Sequence, residues 1–325
     1  MRAVLSFAAL APFLAAGANA AEYKLAESEL VFRHTLPFAH SASIAEAKNG
    51  DLICLFFGGV GEKSSDTAIF ISRKAAGGKE WTKPVEFANA KFGGERFASW
   101  NPVIFNDGGR LYAHYHLGDS PRTWRGFFRH SDDCGKTWSP QEALPDGVLG
   151  AIKNKPLRFG GKLVCPSSTE FHSSFGWRAH FDIFENGKWS RARVPYVPFL
   201  RAIQPAIVQL KDGSLKAFLR TDAGFIYQTR SSDALSWSKP EPTQIPNPCS
   251  GLDAEALPTG DIFLVCNPDK DSRRELAVFV SSDGGETFRK IFSDKRGFSQ
   301  AYPSVMRSSD GKIHVVYSFG TRIRH

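Results

Sequence analysis

Apolar residues along this chain come in short runs or alternate with polar ones, and no stretch shows the three-to-four-residue spacing of an amphipathic helix. Runs such as Ile53 to Phe57 and Ile262 to Cys266 have strand length. They also recur in a fixed setting. An apolar stretch leads into a glycine turn, then a polar residue, then Leu or Ile opening a second stretch. The turns are Asn49-Gly50-Asp51-Leu52, Asp107-Gly108-Gly109-Arg110-Leu111, Gly160-Gly161-Lys162-Leu163, Asp212-Gly213-Ser214-Leu215, Gly260-Asp261-Ile262 and Asp310-Gly311-Lys312-Ile313. Each predicts a β-hairpin, because glycine accepts the positive φ of tight hairpin turns.

The hairpin glycines Gly50, Gly109, Gly161, Gly213, Gly260 and Gly311 are spaced by roughly fifty residues, the period of propeller blades. The expectation is an all-β, six-bladed β-propeller. The sixth repeat ends after Thr321 to His325, one strand short. Residues Ser28 to His34 are expected to supply the missing outer strand, closing the last blade with the N-terminal segment.

A second motif follows the hairpins. Ser131-Asp132-Asp133-Cys134-Gly135-Lys136-Thr137-Trp138 and Ser281-Ser282-Asp283-Gly284-Gly285-Glu286-Thr287-Phe288 share S-x-D-x-G-x-T followed by an aromatic. Ser231 to Trp237 is a weaker copy. The Asp can accept backbone N–H bonds within the turn, and the aromatic can pack between sheets.

Composition adds little to the fold and more to location. Met1-Arg2, an apolar run from Ala3 to Ala16 and Ala18-Asn19-Ala20 read as an export signal cleaved after Ala20. That leaves residues 21–325 as one propeller domain, expected to be a secreted or periplasmic monomer. No run is long enough to span a membrane. The net charge of +8 is spread along the chain and forms no basic block, which argues against nucleic acid and suits either plain solubility or attraction to an acidic polymer. The five cysteines are irregularly spaced. Cys54, Cys165 and Cys266 fall in buried strands, as small hydrophobes. No spacing suggests a metal site, and no cofactor is expected.

Inner strands of a propeller converge at the channel mouth. Counting back about seven to ten residues from each hairpin glycine gives His40, Asn101, Lys153 with Asn154, Gln204, Asp253 and Tyr302, one polar group per repeat at nearly one register. Glu170, Arg220 and Arg273 follow the second strands of their repeats. A guanidinium suits a bidentate carboxylate contact.

The S-x-D-x-G-x-T motif resembles the Asp-box of the sialidase superfamily. Along its mature length the chain resembles the BNR-repeat, predicted-neuraminidase-like proteins. His40-Ser41-Ala42-Ser43, Trp100-Asn101-Pro102-Val103, Ile152 to Pro156, Cys165 to Glu170, Ile203-Gln204-Pro205, Asn247-Pro248, Tyr302-Pro303 and Arg322 to His325 carry that likeness. The resemblance implies that Asp133, Gly135, Trp138, Asp283, Gly285 and Phe288 are structural. It implies that Tyr302 is the nucleophile, Asp66 the acid/base, and Arg220 and Arg273 two of three carboxylate-binding arginines. Two positions depart from the pattern: His40 stands in place of the first Arg, and Gln204 in place of the Glu that assists the Tyr.

The expected function is an exported, exo-acting, sialidase-like glycoside hydrolase working on an acidic oligosaccharide or polysaccharide. Tyr302, Asp66 and His40 would be catalytic. Arg220, Arg273, Asn101, Lys153, Lys155, Gln204, Asp253 and Glu170 would bind substrate. Two alternatives share these residues: a lyase acting on uronides, and a non-catalytic glycan-binding propeller with Trp100, Trp124 or Trp177 stacking on sugars. A protein-interaction scaffold fits the fold but leaves the ring of ionisable groups unused.

Overall fold

Five of the six predicted hairpins grow into four-stranded antiparallel sheets, and the sixth into a five-stranded one. The computed structural model describes residues 6–9, 22–32, 36–92, 94–171 and 176–325. Blade one is Phe38–Glu46, Leu52–Gly59, Ala68–Lys74 and Val85–Asn89. Blade two is Ser99–Asp107, Arg110–Leu117, Arg125–Ser131 and Glu142–Ala143. Blade three is Leu157–Phe159, Lys162–Glu170, Trp177–Glu185 and Lys188–Arg193. Blade four is Ala202–Gln209, Leu215–Thr221, Phe225–Ser231 and Glu241–Pro246. Blade five is Asp253–Ala256, Ile262–Cys266, Glu275–Ser281 and Arg289–Lys295. Blade six is built on Gln300–Arg307, Ile313–Phe319 and Arg322–Arg324.

The six hairpin glycines all have φ between 83° and 94°. The second strand of each blade is almost wholly buried, because it is covered by a neighbouring blade on each face. Cys54, Cys165 and Cys266 sit on these strands as free, buried thiols, and burial pushes all three upward in pKa. Among the described residues no helix is long and apolar enough to cross a membrane.

The Asp-box turns lock each blade to the one before it. In blade two, Asp133 accepts from the backbone N–H of Lys136 and Thr137 and from the Thr137 hydroxyl at 2.6 Å. Gly135 has φ 75°, and a Cβ there would lie 2.6 Å from Ile53 of blade one. Trp138 meets Phe87 of blade one edge-to-face at 4.9 Å. Asp283 repeats these bonds in blade five, where Gly285 and Phe288 pack on Phe218 of blade four. The weaker copy has Ala234 in the glycine position, at φ 66°, and Trp237 stacked on Phe181 of blade three at 4.1 Å.

The ring closes as expected. Leu30 bridges Arg324, the Glu29 N–H donates to the His325 carbonyl, and the Val31 N–H donates to the Ile323 carbonyl. Arg33 and His34 lie outside the described residues. So does most of the expected leader; its Ser6–Ala9 pairs with Tyr23–Leu25 and with the start of Ile313–Phe319.

Side chains reinforce this seam as a buried chain. Ser308 Oγ lies 3.0 Å from His314 Nε2, His314 Nδ1 lies 2.8 Å from His325 Nε2, and His325 Nδ1 lies 3.4 Å from Glu29. Lys74 and Trp81 of blade one both donate to Glu29. Burial, then the facing His325, pushes His314 down to about 3, and burial also lowers His325. Both imidazoles are therefore neutral when folded and would gain protons on unfolding. Stability from this clasp is full above the unfolded histidine value of about 6.5 and is lost as pH falls toward the folded values. Urea midpoints should drop between pH 7.5 and pH 5, and His314→Asn should shrink that drop. A midpoint slope identical in the variant would remove the clasp from this account.

Candidate functional site

Four inner strands carry the same irregularity. The pairing register shifts between His40 and Ser43, between Ile203 and Ala206, between Ala301 and Ser304, and in blade two opposite His114 to His116. At each bulge one residue is left-handed without being glycine: Ser41 at φ 53°, Asn101 at 28°, Gln204 at 49° and Tyr302 at 54°. Such conformations cost about 1–3 kcal/mol and gather at functional sites. Three of them precede a proline, which lacks the N–H a regular ladder needs.

The bulges of blades four and six bring the site together. Arg220, at the end of the second strand of blade four, is buried. Its Nη1 donates to Gln204 Oε1 at 2.9 Å and to the Tyr302 hydroxyl oxygen at 2.7 Å. Its guanidinium carbon lies 5.7 Å from the ring centres of both Trp177 and Tyr302. The Cys249 thiol also faces it, and the Cys249 carbonyl accepts from Arg273 Nη2 at 2.9 Å.

His40 completes this cluster, one residue before its strand's bulge. Its ring lies 4.5 Å from that of Tyr302, tilted by 52°. Burial, reinforced by the charges of Arg273, Arg220 and Lys153, pushes it down to about 3. It is neutral at ordinary pH and a weak base. Glu170 ends the second strand of blade three, where burial raises its carboxyl while Arg220 and Arg122 oppose the rise.

Asp66 lies on the loop between the second and third strands of blade one. Its Oδ2 accepts from the Val60 N–H at 3.0 Å. Its Oδ1 is buried without a partner among the described residues. Asn101 is buried in the bulge of blade two.

Lys153, Lys155 and Asp253 go elsewhere. Lys153 reaches across the ring and donates to Asn154 Oδ1 and the Leu252 carbonyl, both at 2.8 Å, and to the Pro303 carbonyl of blade six. Lys155 donates to the carbonyls of Ala254 at 2.8 Å and Val305 at 2.7 Å, and pairs with Glu255 at 3.0 Å and Asp253 at 3.4 Å. Asp253 also accepts from the Val305 N–H at 2.8 Å. Asn154 ties the bulge of blade four, donating to the carbonyls of Gln204 and Pro205. These side chains tie blade three to blades five and six across the ring. Trp100 and Trp124 belong to a buried cluster with Leu149 and Ile152, whereas Trp177 borders the mouth.

Sequence reasoning missed Ser41 and Cys249. The X-Pro step in three inner strands is a signal that marks the bulges, but Ser41 is followed by Ala42. Among the described residues no group of three or more His, Cys, Asp or Glu is arranged to hold a metal ion.

Residues 50–315 match the BNR repeat-like domain family. The chain belongs to that family. No curated protein matches it. Solved structures share the fold of this BNR repeat-like propeller. A protein of unknown function from Dyadobacter fermentans aligns with TM-score 0.76 at 15% identity, covering 91% of this chain and 96% of that one. The Hadza microbial sialidase aligns with TM-score 0.73 at 15% identity, covering 90% of this chain and 70% of that one. An α-L-arabinanase from Penicillium chrysogenum, solved with arabinobiose, aligns with TM-score 0.67 at 16% identity over 89% and 93% of the two chains. The likeness to glycosidases at this identity is a likeness of fold.

The central lysines make a stability prediction. Lys155→Met would leave the buried Asp253 carboxylate without its cation, at a cost of about 3–5 kcal/mol. Urea denaturation should show that loss; a variant within 1 kcal/mol of wild type (about the net worth of one hydrogen bond) would contradict the assigned role.

Proposed function

We propose that this protein is an exported glycoside hydrolase whose channel mouth acts on an acidic sugar, a sialic or uronic acid. The observation that carries the reading is Arg220, clasped between Trp177 and Tyr302 with its Nη1 on the Tyr302 oxygen. In this reading Arg220 and Arg273 receive the substrate carboxylate. Tyr302 attacks the anomeric carbon as its bond to the leaving oxygen breaks, the phenolic proton passing to solvent water at the mouth, and Arg220 stands where negative charge on the Tyr302 oxygen is needed. Asp66 or Glu170 protonates the leaving oxygen. Glu170 suits that role because burial favours its protonated form.

The two departures at the mouth acquire a reason. Gln204 accepts from Arg220 as a neutral amide, so the guanidinium keeps its full charge for the substrate. A Glu there would neutralise it. His40 packs against the Tyr302 ring and holds its orientation. Its weak basicity counts against the elimination route, which needs a base strong enough to remove a proton α to a carboxylate.

A glycan-binding propeller without turnover is the second reading, favoured because among the described residues the Tyr302 hydroxyl is met by Arg220 and not by a carboxylate. Kinetics separate the two. Methylumbelliferyl sialoside and glucuronide are the probes. Tyr302→Phe should lower kcat by about 10²–10⁴-fold with KM changed only a few-fold, the range for losing a proton-transferring or nucleophilic group. Binding of either sugar acid without release of the fluorophore by the wild type would reject hydrolysis in favour of the second reading.

The pH profile makes a separate prediction. As pH rises past the elevated pKa of Glu170, its proton is lost, so kcat/KM should fall on the alkaline side. Glu170→Gln should remove that limb. An unaltered alkaline limb in the variant would assign the proton to another group.

A further inference from the structure

A cavity of about 390 Å³ opens beside the mouth, between blades two and three. Its volume is that of a small-ligand pocket. Trp124, Leu144, Val148 and Leu149 form apolar walls, and Arg122 and Glu170 line it with charge.

Two observations mark it as built for a ligand. Trp124 is 6% exposed, yet its indole Nε1 has no acceptor among the described residues. Buried indole donors nearly always have one. His116, which packs on the Trp124 ring at 4.7 Å, gives its own Nε2 contact to the Leu149 carbonyl at 2.9 Å and leaves the indole unserved. The second observation is the position of Glu170. It lines this cavity with Arg122, and Trp177, its partner on the next strand, lies 5.7 Å from the Arg220 guanidinium in the mouth. Glu170 therefore stands between the two spaces.

We propose that this cavity is a subsite for the second sugar unit of an acidic oligosaccharide, whose carboxylate-bearing first unit sits over Arg220 and Tyr302. The inference rests on the proposed function and deepens it by naming the substrate as an oligosaccharide. The apolar face of the second ring would lie against the Trp124 and leucine walls. Its hydroxyls would hydrogen-bond the carboxyl of Glu170 and, once the wall side chains shift to uncover it, the Trp124 Nε1–H, so the linkage between the units would pass Glu170.

Isothermal titration tests this in the Tyr302→Phe background, which slows turnover. The probes are galacturonic acid against digalacturonate, and N-acetylneuraminic acid against sialyllactose. The oligosaccharide of at least one pair should bind on the order of tenfold tighter than its monosaccharide, a difference of about 1.4 kcal/mol. Val148→Trp, which fills the cavity, should bring the oligosaccharide down to the monosaccharide affinity and leave the monosaccharide unchanged. Arg122→Ala should shift the oligosaccharide in the same direction, which keeps the test valid if the Trp variant does not fold. Equal affinities within both pairs, or an oligosaccharide affinity untouched by the folded variants, would overturn the subsite and leave the proposed function standing. No binding of any of the four sugars would overturn both.

Discussion

The blade-three lysines that cross the centre of the ring are the constraint on which the rest of the molecule depends. A ring of six sheets leaves an axial space lined by the backbone of inner strands, and buried carbonyls there need donors. The inner strands of blades three and five are short, Leu157–Phe159 and Asp253–Ala256, so strand pairing supplies few. Lys153 and Lys155 supply them instead, reaching carbonyls on blades five and six. Burying an ammonium group is costly: the carboxylates of Asp253 and Glu255 hold Lys155 charged, whereas burial pushes Lys153, held mainly by neutral acceptors, down to about 7.

That arrangement shapes the site above it. The left-handed bulges at Gln204 and Tyr302 then turn their side chains onto Arg220. Positive charge accumulates because Lys153, Arg220 and Arg273 are all close enough to depress His40. Burial first, and these charges second, keep His40 neutral.

The frame is that of glycosidase propellers while the site is this chain's own. Asp-box turns interlock successive blades through Gly135 on Ile53 and Gly285 on Phe218. Those contacts concern packing and carry no chemistry. Substitution at the mouth, with Gln204 accepting from Arg220 and His40 against Tyr302, changes the distribution of charge and leaves the scaffold unchanged.

The sequence by itself determined the blades, their order and the outer turns, because those features are local. A hairpin glycine, an Asp-box and an alternating strand each act within about ten residues of chain. Tyr302 and Gln204 were legible at the mouth for the same reason, since a count back from each hairpin glycine reaches the start of its own inner strand. What only the tertiary structure decided was which polar residue at a strand start faces the mouth and which is drawn into the axis. Lys153 and Asp253 stand at nearly the register of Gln204 and Tyr302, yet Lys153 ends on the Pro303 carbonyl, 150 residues away. His40 and Ser41 differ by one position, and a bulge decides which of them takes the left-handed turn. A strand's faces alternate at every residue, so a one-residue bulge reverses them, and contacts across a ring join groups that no local pattern relates.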